Sequence, residues 1–491
     1  MRYLLDERFS LRGWQDRHFG LYDTIRKEPK FITKARFLQL IYCDGAHDLD
    51  ETQLSPEEKK FIDEAKEVGV IRPAGFAEYL NPRQEYITYP ASYRRQVHWS
   101  VTGACNLKCR HCFMSAPHSK HGVPSHEQII AIVDQLAECG IFQVGITGGE
   151  PLTREDFLEI IDALNERGIG VATIYTNGWL VNEEFLDALD RRHVHPPFQL
   201  SFDGVGWHDF LRGVPGAEEK TLQALKLLQQ RDHPVSVSMC MHRKNRHVLR
   251  ESVNLMASLG VRSMKCGSMM ELGEWAQPEL RDLQLTNEEE LQMFEEYIPQ
   301  YFEDNAPVSI MMSGMFMYTP GDPEWNIFNI RKCAPEEEEH MPSCGVLLNN
   351  FYIGAEGMVC PCMGMADCNY AQHFPNLFET PLKEILAKDS AFDRLCRTTV
   401  SEVRNGNDKC RNCKYIDRCT GGCRNAVLMA GDNYYGVDPD ICWFFEHDGE
   451  ARITAAAQKP FEEYIKRNPP KKKDEDKSED PAGETEAPDC P

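Results

Sequence analysis

No apolar run in this sequence approaches the length of a helical membrane span, so no membrane partner is expected. Basic residues are scarce: 54 Lys and Arg stand against 77 Asp and Glu, a formal net charge of −23. A nucleic-acid partner needs a basic face, and no basic cluster is visible, so none is expected either. Residues 1–10 carry Arg2, Asp6, Glu7 and Arg8 where a secretory signal needs an apolar stretch. The expectation is a cytoplasmic protein, and 491 residues are enough for about two to four domains.

Cysteine, by contrast, is abundant, with 19 copies. In a large cytoplasmic chain, C-x2-C spacings point to metal rather than to disulfides. Cys105-Asn-Leu-Lys-Cys109-Arg-His-Cys112 follows the apolar run 97–101. Three thiolates hold three irons of a 4Fe-4S cube and leave one iron open. The competing reading is a zinc knuckle, for which His118 or His121 can supply the fourth ligand.

Candidate strands at 98–102, 143–147, 170–176, 198–202, 235–240 and 263–267 alternate with amphipathic stretches at 125–139, 154–167, 183–191, 218–231 and 246–259. Such βα repeats predict an α/β fold with a parallel sheet, either doubly wound or an incomplete barrel, whose chemistry lies at the C-terminal strand ends. The motifs obey that rule. The cysteine loop follows the first strand, Gly148-Gly149-Glu150-Pro151 the second, Asn177-Gly178 the third and Asp203-Gly204 the fourth. Glycines here let the backbone approach a ligand, and Glu150 offers a carboxylate to an ammonium group.

Together these residues resemble the radical S-adenosylmethionine (SAM) enzymes over 95–270. The resemblance implies a partial TIM-type (β/α)6 barrel. It also implies that the open iron chelates SAM, which electron transfer cleaves to a 5'-deoxyadenosyl radical. By the same resemblance Gly148, Gly149, Glu150 and Pro151 bind the SAM amino group, and Ser201 and Asp203 contact its carboxylate or ribose. Arg212 can pair with that carboxylate through its planar fork, or form a surface salt bridge.

Cys344-x12-Gly357-x4-Cys362, then Cys410-x2-Cys413-x5-Cys419-x3-Cys423, then Cys442, resemble the twitch-containing SPASM extension. That family holds two auxiliary 4Fe-4S clusters, which would bring the total to three. Its pattern gives Cys410, Cys413, Cys419 and Cys442 to one cluster. Cys344, Cys362 and Cys423 go to the other, with Cys333 as candidate fourth ligand and Cys360 and Cys368 close enough to compete. A zinc ribbon over 410–423 leaves the seven-cysteine pattern unexplained. Cys139, Cys240, Cys266 and Cys396 read as core residues.

Residues 1–90 read as short strands within 9–33 and helices at 34–43 and 55–68, the second opening Ser55-Pro56-Glu57-Glu58. This order resembles the winged-helix peptide-recognition element of ribosomal-peptide modification systems, in which a leader peptide adds a strand to a small sheet. The expected domains are a leader-binding element at 1–90, a barrel with linker at 95–305, a SPASM domain at 306–467 and a disordered tail at 468–491. The implied function is a radical SAM maturase of a ribosomally made precursor peptide, recognised by its leader and closing an intramolecular Cys thioether, as in sactipeptide and ranthipeptide synthases. Carbon-carbon crosslinking, epimerisation and formylglycine formation in a sulfatase are the alternatives. An electron donor such as flavodoxin or ferredoxin is implied as a partner.

Overall fold

The computed structural model describes residues 1–470 apart from 270, 272 and 432, so nearly all of the expected tail lies outside the described residues. No helix among them is long and apolar enough to cross a membrane. The chain begins with β1 (Arg2–Leu5), β2 (Phe9–Gly13), β3 (Gly20–Asp23), β4 (Glu28–Phe31), α1 (Lys34–Ile41), β5 (Asp44–Asp48), α2 (Pro56–Glu67), β6 (Ile71–Pro73) and β7 (Ile87–Thr88). Ser55 caps α2 in a capping box with Glu58, and Pro56 sits in its first turn, where a missing N–H costs nothing. Two small sheets result, ordered β5-β1-β6 and β4-β3-β2-β7. A core of Tyr3, Leu5, Phe37, Leu40, Phe61 and Ile62 binds the two helices to them.

The central feature is one ten-stranded sheet. Its middle is β8 (Gln96–Ser100), β9 (Gln143–Thr147), β10 (Gly170–Thr176), β11 (Phe198–Ser201), β12 (Val235–Met241) and β13 (Ser263–Ser268), each parallel to the next. Between these strands run α3 (His126–Glu138), α4 (Phe157–Glu166), α5 (Glu183–Asp190), α6 (His208–Arg212), α7 (Ala217–Gln230) and α8 (Leu249–Ser258). Ser125 and Asn182 cap α3 and α5 with their side chains. The strands alternate. In β12, Val235, Val237, Met239 and Met241 are buried against the helices, while Ser236, Ser238 and Cys240 on the other face are only half-buried.

The C-terminal part extends this sheet at both edges. After α9 (Asn287–Glu303), β14 (Ser309–Met312) joins β13 in parallel, and β15 (Phe316–Tyr318) turns back antiparallel, so the methionine- and aromatic-rich stretch is a core hairpin. At the other edge β16 (Asn350–Ile353) joins β8 in parallel, followed by antiparallel β17 (Val359–Cys360). The helix Gly449–Arg467 then packs along α9.

The N-terminal unit packs at the strand ends opposite the sequence motifs. Trp14, fully buried, sets its ring against Tyr89, Tyr93 and Phe142, the residue before β9. Gln143 Nε2 donates to the Arg26 carbonyl at 3.2 Å. An ion-pair chain then links three parts of the sequence. Arg94 Nη2 meets Asp393 Oδ1 at 2.7 Å with neither side chain exposed, Arg397 Nε meets Asp393 Oδ2 at 2.8 Å, and Arg397 Nη2 meets Asp16 Oδ2 at 2.6 Å. Removing one partner of a buried pair leaves the other charge uncompensated. Asp393→Ala is therefore expected to cost about 3–5 kcal/mol, read as a lower urea midpoint.

Candidate active site

The loop after β8 carries Cys105, Cys109 and Cys112, and all three are free thiols. Each sulfur accepts a hydrogen bond: from Leu107 N at 3.4 Å, from Arg212 Nη1 at 3.7 Å and from Ala116 N at 3.3 Å, in that order. Burial pushes the Cys105 thiol up to about 12, and the Cys109 and Cys112 thiols add to that rise, so the three groups share one space. A set of thiols that repel as anions yet are each given a donor fits a cationic iron centre. Neither histidine of the zinc reading serves this trio. His118 Nε2 lies 3.7 Å from Glu274, and both ring nitrogens of His121 face carboxylates.

Gly148 and Gly149 are stitched to the cysteine loop itself. Gly149 N donates to Thr102 O at 2.8 Å and Glu150 N to Ala104 O at 2.9 Å. A Cβ at Gly149 would stand 2.1 Å from Ala104 O, and one at Gly148 2.5 Å from Thr102 O. The close approach that requires glycine here is therefore to backbone. Pro151 opens a short turn ending at Thr153. Glu150 is fully buried and accepts from Thr176 Oγ1 at 2.8 Å, Asn177 N at 2.7 Å and Leu152 N at 3.1 Å. Burial pushes its carboxyl up to about 7 against those donors, and an ammonium group placed beside it would favour the carboxylate again.

Ser201 ends β11 on its half-buried face, paired in register with Ser238. Asp203 is fully buried, with Oδ2 at 2.8 Å from Arg212 Nε and 3.3 Å from His208 Nδ1, and Oδ1 at 3.1 Å from Cys240 N. Burial raises this carboxyl, but Arg212 and His208 hold it well below the usual carboxylate range. Asp203 thus faces Arg212 and, through it, Cys109. His111, Asp203 and Cys240 bring ligand atoms within 4.8 Å of one another, but the adjacent guanidinium opposes a cation there.

Two residues gain roles that the motif reading did not give them. Asn177 Nδ2 donates to Asn106 Oδ1 at 2.8 Å and approaches Cys105 Sγ at 3.9 Å. His208 lies four residues before Arg212 on α6, a same-face spacing visible in the sequence, and also contacts Thr221 Oγ1 at 3.2 Å.

In the C-terminal part Cys410, Cys413, Cys419 and Cys442 line one pocket with Tyr415 and Phe445. Tyr415 N donates to Cys413 Sγ at 3.4 Å. Four free thiols around one pocket suit a cluster with four protein ligands. Cys362 acts electrostatically on Cys423, and Cys344 on Cys362, so these three also face one another. Cys333 is buried, and the strongest charged influences on it are Arg404, Glu338, Glu337 and Arg331, none of the three thiols. Cys360 and Cys368 lie in an apolar cluster with Tyr352, Met365 and Phe374.

The cysteine loop is tied directly to this C-terminal part. His121 Nδ1 meets Glu356 Oε1 at 2.9 Å, its Nε2 lies 3.4 Å from Asp367 Oδ2, and Lys120 pairs with Asp367.

Residues 99–256 match the family model described as the Radical SAM superfamily, and residues 344–414 match SPASM, an iron-sulfur cluster-binding domain. The chain is 27% identical to the AdoMet-dependent heme synthase of Oleidesulfovibrio alaskensis over 71% of its own length and 87% of that protein's. It is 25% identical to the PqqA peptide cyclase of Granulibacter bethesdensis over 68% of its length and 83% of the relative's. Its fold is similar to that of Streptococcus suis SuiB bound to precursor peptide SuiA, with a TM-score of 0.61 and 16% identity over 90% of this chain and 99% of SuiB.

The carboxylates of Asp367 and Glu356 raise the His121 imidazole from 6.5 to about 9. A group raised on folding stabilises fully below its unfolded pKa and loses that contribution as pH rises through the folded value. Wild-type protein is therefore expected to lose stability between pH 6.5 and 9 through this group. His121→Gln should flatten that part of the profile, measured as urea midpoint against pH.

Proposed function

We propose that the chain is a radical SAM enzyme with a SPASM iron-sulfur domain, and that it matures a ribosomally made precursor peptide by closing an intramolecular thioether from a Cys sulfur. The observation that carries this reading is the trio of donor-capped thiols at the end of β8, beside the buried Glu150 carboxylate. Cys105, Cys109 and Cys112 hold the SAM-binding cluster. Glu150 receives the SAM ammonium, Gly148, Gly149 and Pro151 shape that receptor, and Ser201 and Arg212 face the carboxylate or ribose. Asp203 acts through Arg212, which it orients. When bound, the cluster and SAM supply a 5'-deoxyadenosyl radical that takes one hydrogen from the peptide.

Cys410, Cys413, Cys419 and Cys442 hold one further cluster, and Cys344, Cys362 and Cys423 another, its fourth ligand drawn from Cys333, Cys360 or Cys368, so that the total is three. Oxidative bond formation needs such an electron sink, and a flavodoxin- or ferredoxin-type protein supplies the initiating electron. The N-terminal unit takes the leader. Supporting this, Phe76 and Tyr79 are 99% and 60% exposed just after edge strand β6, an apolar surface with a use for a partner. The precursor peptide named with SuiB and the peptide cyclase among the relatives point the same way. The second reading is a carbon-carbon crosslink, with which a peptide cyclase among the relatives is equally consistent, and which leaves the peptide's Cys open to alkylation where a thioether does not.

The test is anaerobic reconstitution with reductant, SAM and any short Cys-containing peptide found encoded next to the gene. Cys109→Ala is expected to abolish 5'-deoxyadenosine formation. Cys413→Ala is expected to keep it and to lose the peptide product that is lighter by two hydrogens. Full SAM cleavage by Cys109→Ala would refute the assignment. In a separate assay, replacing Phe76 and Tyr79 with Ala should weaken leader binding at least several-fold in fluorescence anisotropy and leave SAM cleavage intact.

A further inference from the structure

The strand ends remote from the cysteine loop carry a second group of ligand atoms. Asp190 is the last residue of α5, His195 lies in the loop that leads into β11, and His233 lies in the loop that leads into β12. Each brings one ligand atom within 4.8 Å of the other two. The two imidazoles are stacked, with ring centroids 4.0 Å apart and planes 17° off parallel. None of the three takes part in the chemistry proposed above.

Hydrogen bonds decide which ring nitrogens carry lone pairs. His233 Nδ1 lies 3.0 Å from the Pro196 carbonyl oxygen, and His195 Nε2 lies 3.2 Å from that of Asp232. A carbonyl oxygen only accepts, so each of these nitrogens holds the ring proton and the lone pair falls on the other, Nε2 of His233 and Nδ1 of His195. A bond from the far nitrogen to a backbone carbonyl is the support that metal-binding histidines ordinarily have. His233 is only 2% exposed, and its Nε2 has no hydrogen-bond partner among the described residues. Burial also holds this imidazole below its usual pKa, so the neutral, ligating form prevails at neutral pH.

The charge around the group suits a cation. Asp190 Oδ2 meets Arg231 Nη1 at 2.9 Å, while its Oδ1 accepts no hydrogen bond among the described residues. Arg231 is shared with Asp187 and Glu183, so three carboxylates outnumber one guanidinium. At the His111–Asp203–Cys240 group, by contrast, Arg212 faces a single carboxylate and cancels it. The C-terminus of α5 adds the negative end of its dipole.

We infer that Asp190, His195 and His233 bind one divalent metal ion, Zn2+ by preference, and that the ion pins the loops before β11 and β12 to the end of α5. Two imidazoles and a carboxylate are an established zinc donor set, with water in the fourth position. The Irving–Williams order places Zn2+ above Fe2+ at such a set. Ligand atoms around one tetrahedral ion stand about 3.3 Å apart, so the group closes slightly on binding. Asp190 and His195 are exposed side chains that can turn toward the buried His233.

The experiment is calorimetric titration of Zn2+ into untagged, full-length protein with its iron-sulfur centres reconstituted, comparing wild type with His195→Ala and Asp190→Asn. Both substitutions fall at exposed positions, so folding is not at stake, and equal iron content in all three proteins checks this. Wild type is expected to bind one equivalent of Zn2+ that both variants bind at least about tenfold more weakly. X-ray absorption at the zinc edge of the one-equivalent complex should show nitrogen and oxygen neighbours at about 2.0–2.1 Å. No binding by wild type, binding of equal strength in wild type and His195→Ala, or sulfur neighbours at about 2.3 Å each overturn the site.

Discussion

The arrangement depends on one buried ion pair, Asp203 with Arg212. Neither group is tolerable alone at that depth, since an unpaired charge out of water costs several kcal/mol. Asp203 comes from the end of β11 and Arg212 from α6, and their pairing delivers a guanidinium N–H to Cys109 Sγ at 3.7 Å. The Cys240 N–H donates to the carboxylate and His208 Nδ1 accepts from the Asp203 N–H, so the fourth and fifth of the six parallel strands are both tied to the cysteine loop. The glycines at 148 and 149 tie the second strand end to the same loop by backbone alone. A loop that presents three mutually repelling thiols has little cohesion of its own, and these ties supply it.

A second set of buried charges unites the domains. Arg94 and Asp393 are 299 residues apart, and His121 and Glu356 are 235 apart. Strands β14 and β16 carry the central sheet into the C-terminal part at opposite edges, so Cys344 and Cys362 flank an extension of the sheet that bears the first trio. Rigid attachment matters for a protein that must hold redox sites at fixed separations, and the parallel backbone pairing of β16 with β8 provides it.

How much of this was legible in the sequence follows from how local each signal is. The six parallel strands and the motifs at their ends were readable because period-two alternation and short cysteine spacings are properties of contiguous residues. The capped helices α2 and α3 were readable for the same reason. The glycines of Gly148-Gly149-Glu150-Pro151 were read as making room for a ligand, whereas they make room for Thr102 and Ala104, a partner that only the folded loop supplies. Asp203 was read as a ligand contact, and its engagement with Arg212 needed the turn between β11 and α6. Arg94–Asp393 and His121–Glu356 leave no trace in sequence, because any Arg or His is compatible with a surface position. The fourth ligand beside Cys344, Cys362 and Cys423 was open on spacing, and the surroundings of Cys333 and Cys360 reflect charge and apolar packing respectively.

The inner face of the sheet finally bears on what enters it. Parallel strands buried on both faces read as continuous apolar runs, and a closed eight-stranded barrel fills its interior with branched side chains. Here β12 reads Val-Ser-Val-Ser-Met-Cys-Met, β8 turns Gln96 and His98 to the same face, and β13 adds Ser263 and Lys265. These residues cannot form a packed core, since serines, glutamine and an ammonium would lose water without compensation. The face is therefore built to be occupied by something that offers hydrogen bonds in return. An extended peptide, with a donor and an acceptor at every residue, meets that demand.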